Sequence, residues 1–590
     1  MTRPGHPRPN RLLPGHQLAL PLWEFAARRS LAGFRRQLDQ GPARNEETLR
    51  AILRRSMATG IGRRSGFDRL VRSPHLGADY ARALPVAGYD HFRADFERIA
   101  EGARDLLFPG APRLFVSTSG TTGDPKLFPV TARQQNAALK FIALLTPAAR
   151  AACVPGLGFR QPTATLMVAS RPGRATAAGI PVGNPSGAGL RRVMALAPPF
   201  WVFPATVLTV QDHPTALYLH ALFALRAPDL GCIEAIYCSH IVSWMGLIAH
   251  RAGELARDIA DGTLAPDLVL TAGERAALGA VLAPDPARAR AVERALAAGP
   301  DGLMTRLWPD LKVLSSVVSG AFAVSVPRLK QLAGPGPALY TTCFGATEGL
   351  VGINLWADQP ERYALALGAT FLEFLPVADC DAPDPRTVGI DAVVCGQSYE
   401  VVLTNHAGLY RYRLGDVVRI VDFAGRTPVF EFDHRRGNVL DLVGEKTTDQ
   451  HFQDAFARLA RELPGGEARL VDFLVWPGIE ATPYRYIAYV ELAGTGPAPD
   501  ATDLSVRLDA LLAGENPAYL TLGRANGRLG PPAVRLLRPG TLEAFLDRHR
   551  ATTAGANANQ AKIPRLLRDP AQRAWLEARC LAPGTPPGRP

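Results

Sequence analysis

Ser117 to Gly123 form a run of seven hydroxyl-bearing or glycine residues, closed by Asp124, Pro125 and Lys126, and this run limits the folds open to the chain more than any other feature. Gly120 and Gly123 let successive backbone N–H groups converge on an anion, the Ser and Thr hydroxyls donate further hydrogen bonds, and the lysine adds a full charge. It reads as a phosphate cradle. Arg113-Leu114-Phe115-Val116 before it and Leu127-Phe128-Pro129-Val130-Thr131 after it read as short apolar strands, with Pro125 and Pro129 opposing a following helix. A Walker loop is excluded, because Pro125 stands five residues after Gly120 and Leu127 follows the lysine. A flexible surface turn is the plainer reading of such a composition, and the strand flanks argue against it.

The lysine is informative in itself. Lys126, Lys140, Lys312, Lys330, Lys446 and Lys562 are the only lysines among 66 basic residues. A chain so biased keeps lysine where a planar guanidinium would not fit, as in a tight phosphate site. The net charge of +12 raises a nucleic-acid partner. The arginines are spread along the chain and no nucleic-acid motif occurs, so none is expected; basic surface equally suits ATP and carboxylate substrates. The seven cysteines form no CxxC pair, which points away from disulfides or structural zinc and toward a reducing cytoplasm. No apolar run approaches the ~20 residues of a membrane span, so a soluble protein with no membrane partner is expected.

A length of 590 residues implies at least two domains. Residues 1–17 and 581–590 are rich in Pro, Arg and Gly and are expected to be disordered. Leu20 to Ala100 reads as helical. Between Phe115 and Phe430 strand-like runs alternate with helical stretches such as 233–261 and 273–298, the α/β pattern. Val417 to Phe432 predicts strands around a Gly425-Arg426 turn, and the charged run Asp433 to Gly437 is the candidate hinge. Beyond it, 468–492 reads as strands and 542–550 as helix, a small α+β unit. The expected domains are therefore 18–433 and 434–580.

Three more segments carry possible chemistry. In Cys343-Phe344-Gly345-Ala346-Thr347-Glu348-Gly349, preceded by Val317 to Ala321, an aromatic face can stack on adenine and Glu348 can hold magnesium. Alone, a buried Phe and a surface Glu are the ordinary reading. In Gly408 to Arg419, Asp416 follows a glycine at a strand end and can take both ribose hydroxyls, or simply cap a turn. Lys562, in Asn559 to Arg565, would by itself be a solvated lysine.

Taken together, STSGTTGDPK, FGATE and YRLGD in this order resemble the adenylate-forming superfamily of acyl-CoA synthetases, luciferases and peptide-synthetase adenylation domains. Trp308 to Lys312, Phe371 to Pro376, Ala407 to Arg413, Glu445-Lys446-Thr447 and Asn559 to Arg565 are similar to the Gretchen Hagen branch, the acyl acid amido synthetases. The resemblance runs from about residue 35 to about residue 570. It implies an α/β fold: a large N-terminal adenylate-forming domain of mixed sheets and helices, and a small mobile α+β C-terminal domain. It also implies a Mg- and ATP-dependent ligase that makes an acyl-adenylate and passes the acyl group to an amine, an amino acid in that branch. Transfer to coenzyme A or a carrier protein, by the same adenylation step, is the alternative.

By the same resemblance Thr118, Ser119, Gly120, Thr121, Thr122 and Lys126 would bind the triphosphate, and Gly320, Ala321 and Phe344 would flank adenine. Thr347 and Glu348 would sit at the α-phosphate and the metal, with Glu348 catalytic, and Asp416 would hold the ribose. Arg435, or alternatively Arg436, would be a second ribose or hinge contact. Lys446 and Lys562 would come from the mobile domain, Lys562 as the main catalytic lysine. Phe344 stands where many relatives have tyrosine, which keeps the stacking face and drops the hydroxyl. The loop is more like the general superfamily than the plant enzymes, so plant hormone substrates are not assumed. Tyr237 to Trp244 would line the acid pocket, with His240 equally a core histidine. No residue names the acid or the amine, or indicates the oligomeric state.

Overall fold

The computed structural model describes residues 14–117, 126–159, 161–167, 174–183, 201–319, 322, 325–436, 439–440, 442–443, 445, 447–463, 468–480, 483–494, 499–525, 529–552, 565–567 and 569–581. Its first helix, Pro14–Gln37, begins inside the stretch expected to be disordered. The helical reading up to Ala100 agrees with the structure, which continues through Gly41–Ser56, Leu76–Ala83 and Tyr89–Ala100. Helix Gly41–Ser56 turns Leu49, Ile52 and Leu53 inward at helical spacing. Its buried Asn45 exchanges two hydrogen bonds with the backbone of Leu372 (2.8 and 3.0 Å), which clamps the helix to a sheet strand.

The strands flanking the Ser/Thr/Gly run form as expected. Leu114–Ser117 pairs antiparallel with Leu127–Val130, and Ser117 lies opposite Leu127, so the two ends of the run are fixed side by side. A helix does follow, once the second strand is complete: Thr131 caps Ala132–Lys140 by accepting from the Gln134 N–H.

Two larger sheets carry the main body. Thr163–Thr165, Cys232–Tyr237, Val313–Val317 and Ala338–Tyr340 form a wholly parallel sheet. Residues 233–237 were expected in a helix and instead form its second strand, with helices only from Cys238–His250 and Ala252–Asp261. A strand covered on both faces is apolar without alternation, so periodicity does not separate it from the helix that follows. The second sheet has seven antiparallel strands. Its order is Phe371–Pro376, Ser398–Thr404, Tyr412–Ala424, Thr427–Arg435, Arg362–Leu365, Leu350–Ile353 and Cys343–Gly345. The predicted Gly425-Arg426 turn is present, with Gly425 at φ +60°. A Cβ there would lie 2.3 Å from the Asp39 carboxylate, so glycine is required for both conformation and space.

The last third is a smaller α+β unit with its own core. Arg469–Gly478 pairs antiparallel with Arg485–Ala493, which runs parallel to Ala533–Leu537. Phe473, Val475 and Val490 face Phe456 and Leu508, from helices Asp449–Glu462 and Ala501–Glu515. Leu474, Trp476 and Tyr489 face the other way, toward Phe545 and Leu576. Alternation along the strands thus fills two layers.

Candidate active site

The turn after Cys343–Gly345 is the centre of the site. Ala346 and Gly349 exchange backbone hydrogen bonds (2.9 and 3.2 Å), leaving Thr347 and Glu348 at the tip of a tight hairpin. Gly349 is needed for close approach, because a Cβ there would meet the Thr370 methyl at 2.6 Å. Two amides hold the turn from outside: Gln134 Nε2 and Asn405 Nδ2 donate to the Glu348 carbonyl at 3.1 and 2.7 Å. Asn405 is itself fixed, its side-chain oxygen accepting from the N–H groups of Ala407 and Leu409.

Glu348 is 7% exposed, not the surface glutamate of the ordinary reading. Burial raises its carboxyl above the usual carboxylate range, its own backbone N–H, Arg435 and Lys126 oppose this, and Asp416 adds to it. Lys126, Asp416 and Arg435 therefore all lie close enough to one buried carboxylate for their charges to act on it, although they are far apart in sequence. Tyr412 donates to Glu348 Oε1 at 3.4 Å; burial pushes the phenol pKa up, and the nearby carboxylate adds to this. Lys126, at the exit of the Ser/Thr/Gly run, lies over the ring of Tyr89, with Nζ 5.5 Å from the centroid. The Tyr89 hydroxyl both accepts from the Leu127 N–H (2.9 Å) and donates to the Leu127 carbonyl (3.2 Å).

Asp416 and Arg435 are cross-strand partners in the seven-stranded sheet, joined through Arg435 Nη1 and Asp416 Oδ1 at 2.7 Å. Of the two arginines left open by sequence, Arg435 is the one at Asp416. Arg436 is committed elsewhere, to Asp381 at 2.5 Å and Glu400 at 3.6 Å. Asp416 was expected at a strand end and instead lies inside strand Tyr412–Ala424, where Gly415, at φ +81°, sits at an irregularity in the pairing with Ser398–Thr404. Phe344 lies opposite Gly352 at the sheet edge and packs with Tyr363, Phe430 and Phe432 at centroid distances of 5.6 to 5.8 Å. A Cβ at position 352 would lie 2.6 Å from Phe430, so that glycine makes room for the cluster.

Thr118, Ser119, Gly120, Thr121, Thr122, Gly320, Ala321, Lys446 and Lys562 lie outside the described residues. Their flanks are placed. Strand Val313–Val317 runs toward Gly320, and Tyr237 stacks on Phe322 with centroids 3.9 Å apart. Tyr237 also meets His240 edge-on at 5.3 Å. Around Lys446, Glu445 is 1% exposed and accepts from the N–H groups of Leu442 and Val443 and from the Tyr486 hydroxyl. Tyr486 and Asn516 both reach Thr447 Oγ1 at 3.0 Å. Three residues past Lys562, Arg565 is buried against Asp472 and the Phe473 carbonyl.

Sequence reasoning missed Tyr89, Gln134, Asn405, Tyr412, Tyr486 and Asn516. Tyr412 lay inside a quoted motif without a role, and the Asn-x-Ala-Gly spacing after 405 is a turn signal. The other four have no local signature. Among the described residues no group of three or more His, Cys, Asp or Glu side chains could hold a metal. The donor set instead fits a hard divalent cation that takes one buried carboxylate and completes its shell with phosphate oxygens.

Three family profiles cover the chain: the GH3 family N-terminal domain over residues 30–338, the central domain over 363–435 and the C-terminal domain over 450–571. The chain belongs to the GH3 family. It is 28% identical over 560 residues to indole-3-acetic acid-amido synthetase GH3.8 of Oryza sativa subsp. indica, covering 92% of both chains. It is 31% identical over 522 residues to probable indole-3-acetic acid-amido synthetase GH3.4 of Oryza sativa subsp. japonica, covering 83% of this chain and 81% of that one. Its fold matches that of the GH3.15 acyl acid amido synthetase, with a TM-score of 0.82, 23% identity, and 95% and 99% of the two chains covered. The resemblance read from the motifs is thus the correct one. The chain is an amide-forming ligase that activates a carboxylic acid as its adenylate at the expense of ATP and conjugates it to an amino acid. No helix among the described residues is long and apolar enough to cross a membrane.

Proposed function

We propose that the cluster of Lys126, Glu348, Tyr412, Asp416 and Arg435 is the nucleotide end of the active site, continuous with the Ser/Thr/Gly run. The observation that carries this is the buried Glu348 at a hairpin tip, facing Lys126 at the run's exit and the Asp416–Arg435 pair. In this reading Thr118, Ser119, Gly120, Thr121, Thr122 and Lys126 hold the triphosphate. Phe344, with Gly320 and Ala321, flanks adenine, and Asp416 takes the ribose hydroxyls while the contact with Arg435 orients its carboxylate. Thr347 binds at the α-phosphate. Glu348 holds magnesium, which supplies charge neutralisation at the phosphate oxygens.

The chemistry explains the residue types. A carboxylate attacking the α-phosphate brings two anions together, so cations placed before the reaction lower the barrier. Lys562 bridges the incoming carboxylate and the phosphate; Lys446 serves the mobile unit on its other side. The Glu445, Tyr486 and Asn516 contacts fix the residues on both sides of Lys446. The acid would enter beside Tyr237, His240 and Phe322, at the carboxyl end of the parallel sheet. We place the boundary between the two units after Arg436. Asp433 is tied into the large sheet by Ser398 (2.7 Å), and the two units have separate cores. Rotation there would exchange one lysine for the other between half-reactions. A cytoplasmic setting accords with seven free thiols.

Incubation with Mg-ATP, pooled carboxylic acids, pooled amino acids and coenzyme A, read by product mass, tests the reading. N-acyl amino acids and AMP are expected, and Lys562→Ala lowers acyl-adenylate formation by about 10²- to 10³-fold, the scale of one lost preorganised electrostatic partner. Acyl-CoA as the sole product, or an unchanged adenylation rate in the variant, would overturn it.

A further inference from the structure

A cavity lies on another face of the helix that supports the Glu348 turn. Gln134 of helix Ala132–Lys140 reaches the Glu348 carbonyl, whereas Arg133, Asn136, Ala137 and Lys140 repeat at helical spacing along another face and line a cavity of about 510 Å³. The floor is apolar: Phe34, Phe141, Leu145 and Leu367 line it and are all buried. The rim is cationic. Among the described residues, Arg133 and Lys140 have no carboxylate partner and none that lines the cavity is acidic.

His406 completes the wall and is a third polar group. Its Nδ1 is buried with no hydrogen-bond partner among the described residues. Burial, with Arg133 and Arg55 nearby, pushes the ring down to about 4, so it is a neutral imidazole at physiological pH and can donate one N–H. A buried polar atom left unpaired is costly, and a ligand oxygen would relieve that cost.

We propose that this cavity is a non-catalytic binding site for an amphipathic carboxylate, with its apolar body on the Phe34, Phe141 and Leu145 floor and its carboxylate between Arg133, Lys140 and His406. An apolar pocket with a few convergent polar groups is the usual form of a small-molecule site, and the volume is in the usual range. Charge complementarity selects an anion over a neutral or cationic ligand. Two molecules of this chemistry occur in the reaction itself, the acid substrate and the N-acyl amino acid product, whose free carboxylate survives conjugation.

The test is calorimetric titration of the full chain, with no ATP, after its catalytic site has been saturated with 5′-O-(N-octanoylsulfamoyl)adenosine. Octanoate and N-octanoylglycine are titrated in separate arms, so the tighter arm identifies substrate or product as the ligand. One equivalent is expected to bind. Arg133→Gln/Lys140→Gln is expected to weaken it about tenfold, the scale of two partly exposed ion pairs. Gly33 lines the cavity and has open space at its Cβ position, so Gly33→Leu is expected to fill the cavity and abolish binding with both cations in place. Both variants should retain amide synthesis. No binding in either arm, equal binding by octanamide, or unchanged affinity in the double variant would overturn the proposal. The readout is binding and not turnover, so its failure stands apart from any failure of the catalytic assignments.

Discussion

Arg411 lies within the Leu-Tyr-Arg-Tyr-Arg run that marks the family branch, yet its contacts are those of a structural strut. Its Nε sits 3.2 Å from both Glu373 oxygens, Nη1 donates to the carbonyls of Ala81 and Leu84 at 2.7 Å, and Nη2 reaches Thr387 Oγ1 at 2.6 Å. Helix Leu76–Ala83 ends there, and residue 85 is proline, so the Ala81 carbonyl has no backbone donor four residues on; the guanidinium supplies one. Arg411→Met keeps most of the volume and removes all of this. The Glu373 carboxylate is left as an uncompensated buried charge, a loss of about 3–5 kcal/mol, and each orphaned carbonyl adds about 1 kcal/mol or more. A total of about 5–7 kcal/mol corresponds to a Tm drop of about 5–10 °C for a domain of several hundred residues. Arg411→Met/Glu373→Gln should recover at least about half of it, because removing both members of a buried pair costs far less than removing one. Differential scanning fluorimetry of wild type and both variants reads this, with adenylation measured on the folded fraction. A single variant with unchanged Tm and lost adenylation would refute the strut and place Arg411 on the substrate, and a double variant no better than the single would refute the charge argument.

Glu348→Gln is expected to lower adenylation by about 10²- to 10³-fold while leaving thermal stability at pH 7 equal or higher. The raised carboxyl means that the folded state holds its proton more tightly than the unfolded chain. Wild-type stability is thus lost as pH rises from near 4.5 through the folded value, and the stability difference between variant and wild type vanishes below that window. The same ionisation should set an acid limb in wild-type adenylation above the ordinary glutamate range, and a limb unshifted from that range would refute the assignment. Asp416→Asn should raise the KM for ATP about tenfold to hundredfold, the loss of charged hydrogen bonds, with kcat little changed at saturation. In wild type 2′,3′-dideoxy-ATP should show a similar penalty, and a further additive penalty in the variant would place Asp416 away from the ribose.

The segments that sequence reading located are those whose information is local. Turn chemistry marked Gly425, apolar flanks marked the strands around the Ser/Thr/Gly run, and a strand-like run marked the paired strands of the C-terminal unit. Residues 233–237 were misread because a parallel strand buried on both faces carries no period. The choice of Arg435 over Arg436 was invisible in the sequence, since it depends on which residue of one strand lies opposite Asp416 in the next.

By itself, then, the sequence determined the family and its chemistry, and an α/β body followed by a smaller α+β unit, because each rests on residue types at short spacing. Only the tertiary structure buried Glu348, brought Lys126, Tyr412, Asp416 and Arg435 to face it from separate segments, and turned Arg411 from a motif residue into a strut. Those outcomes depend on sheet register and on the low dielectric of a closed interior, and both arise from contacts between residues distant in the chain.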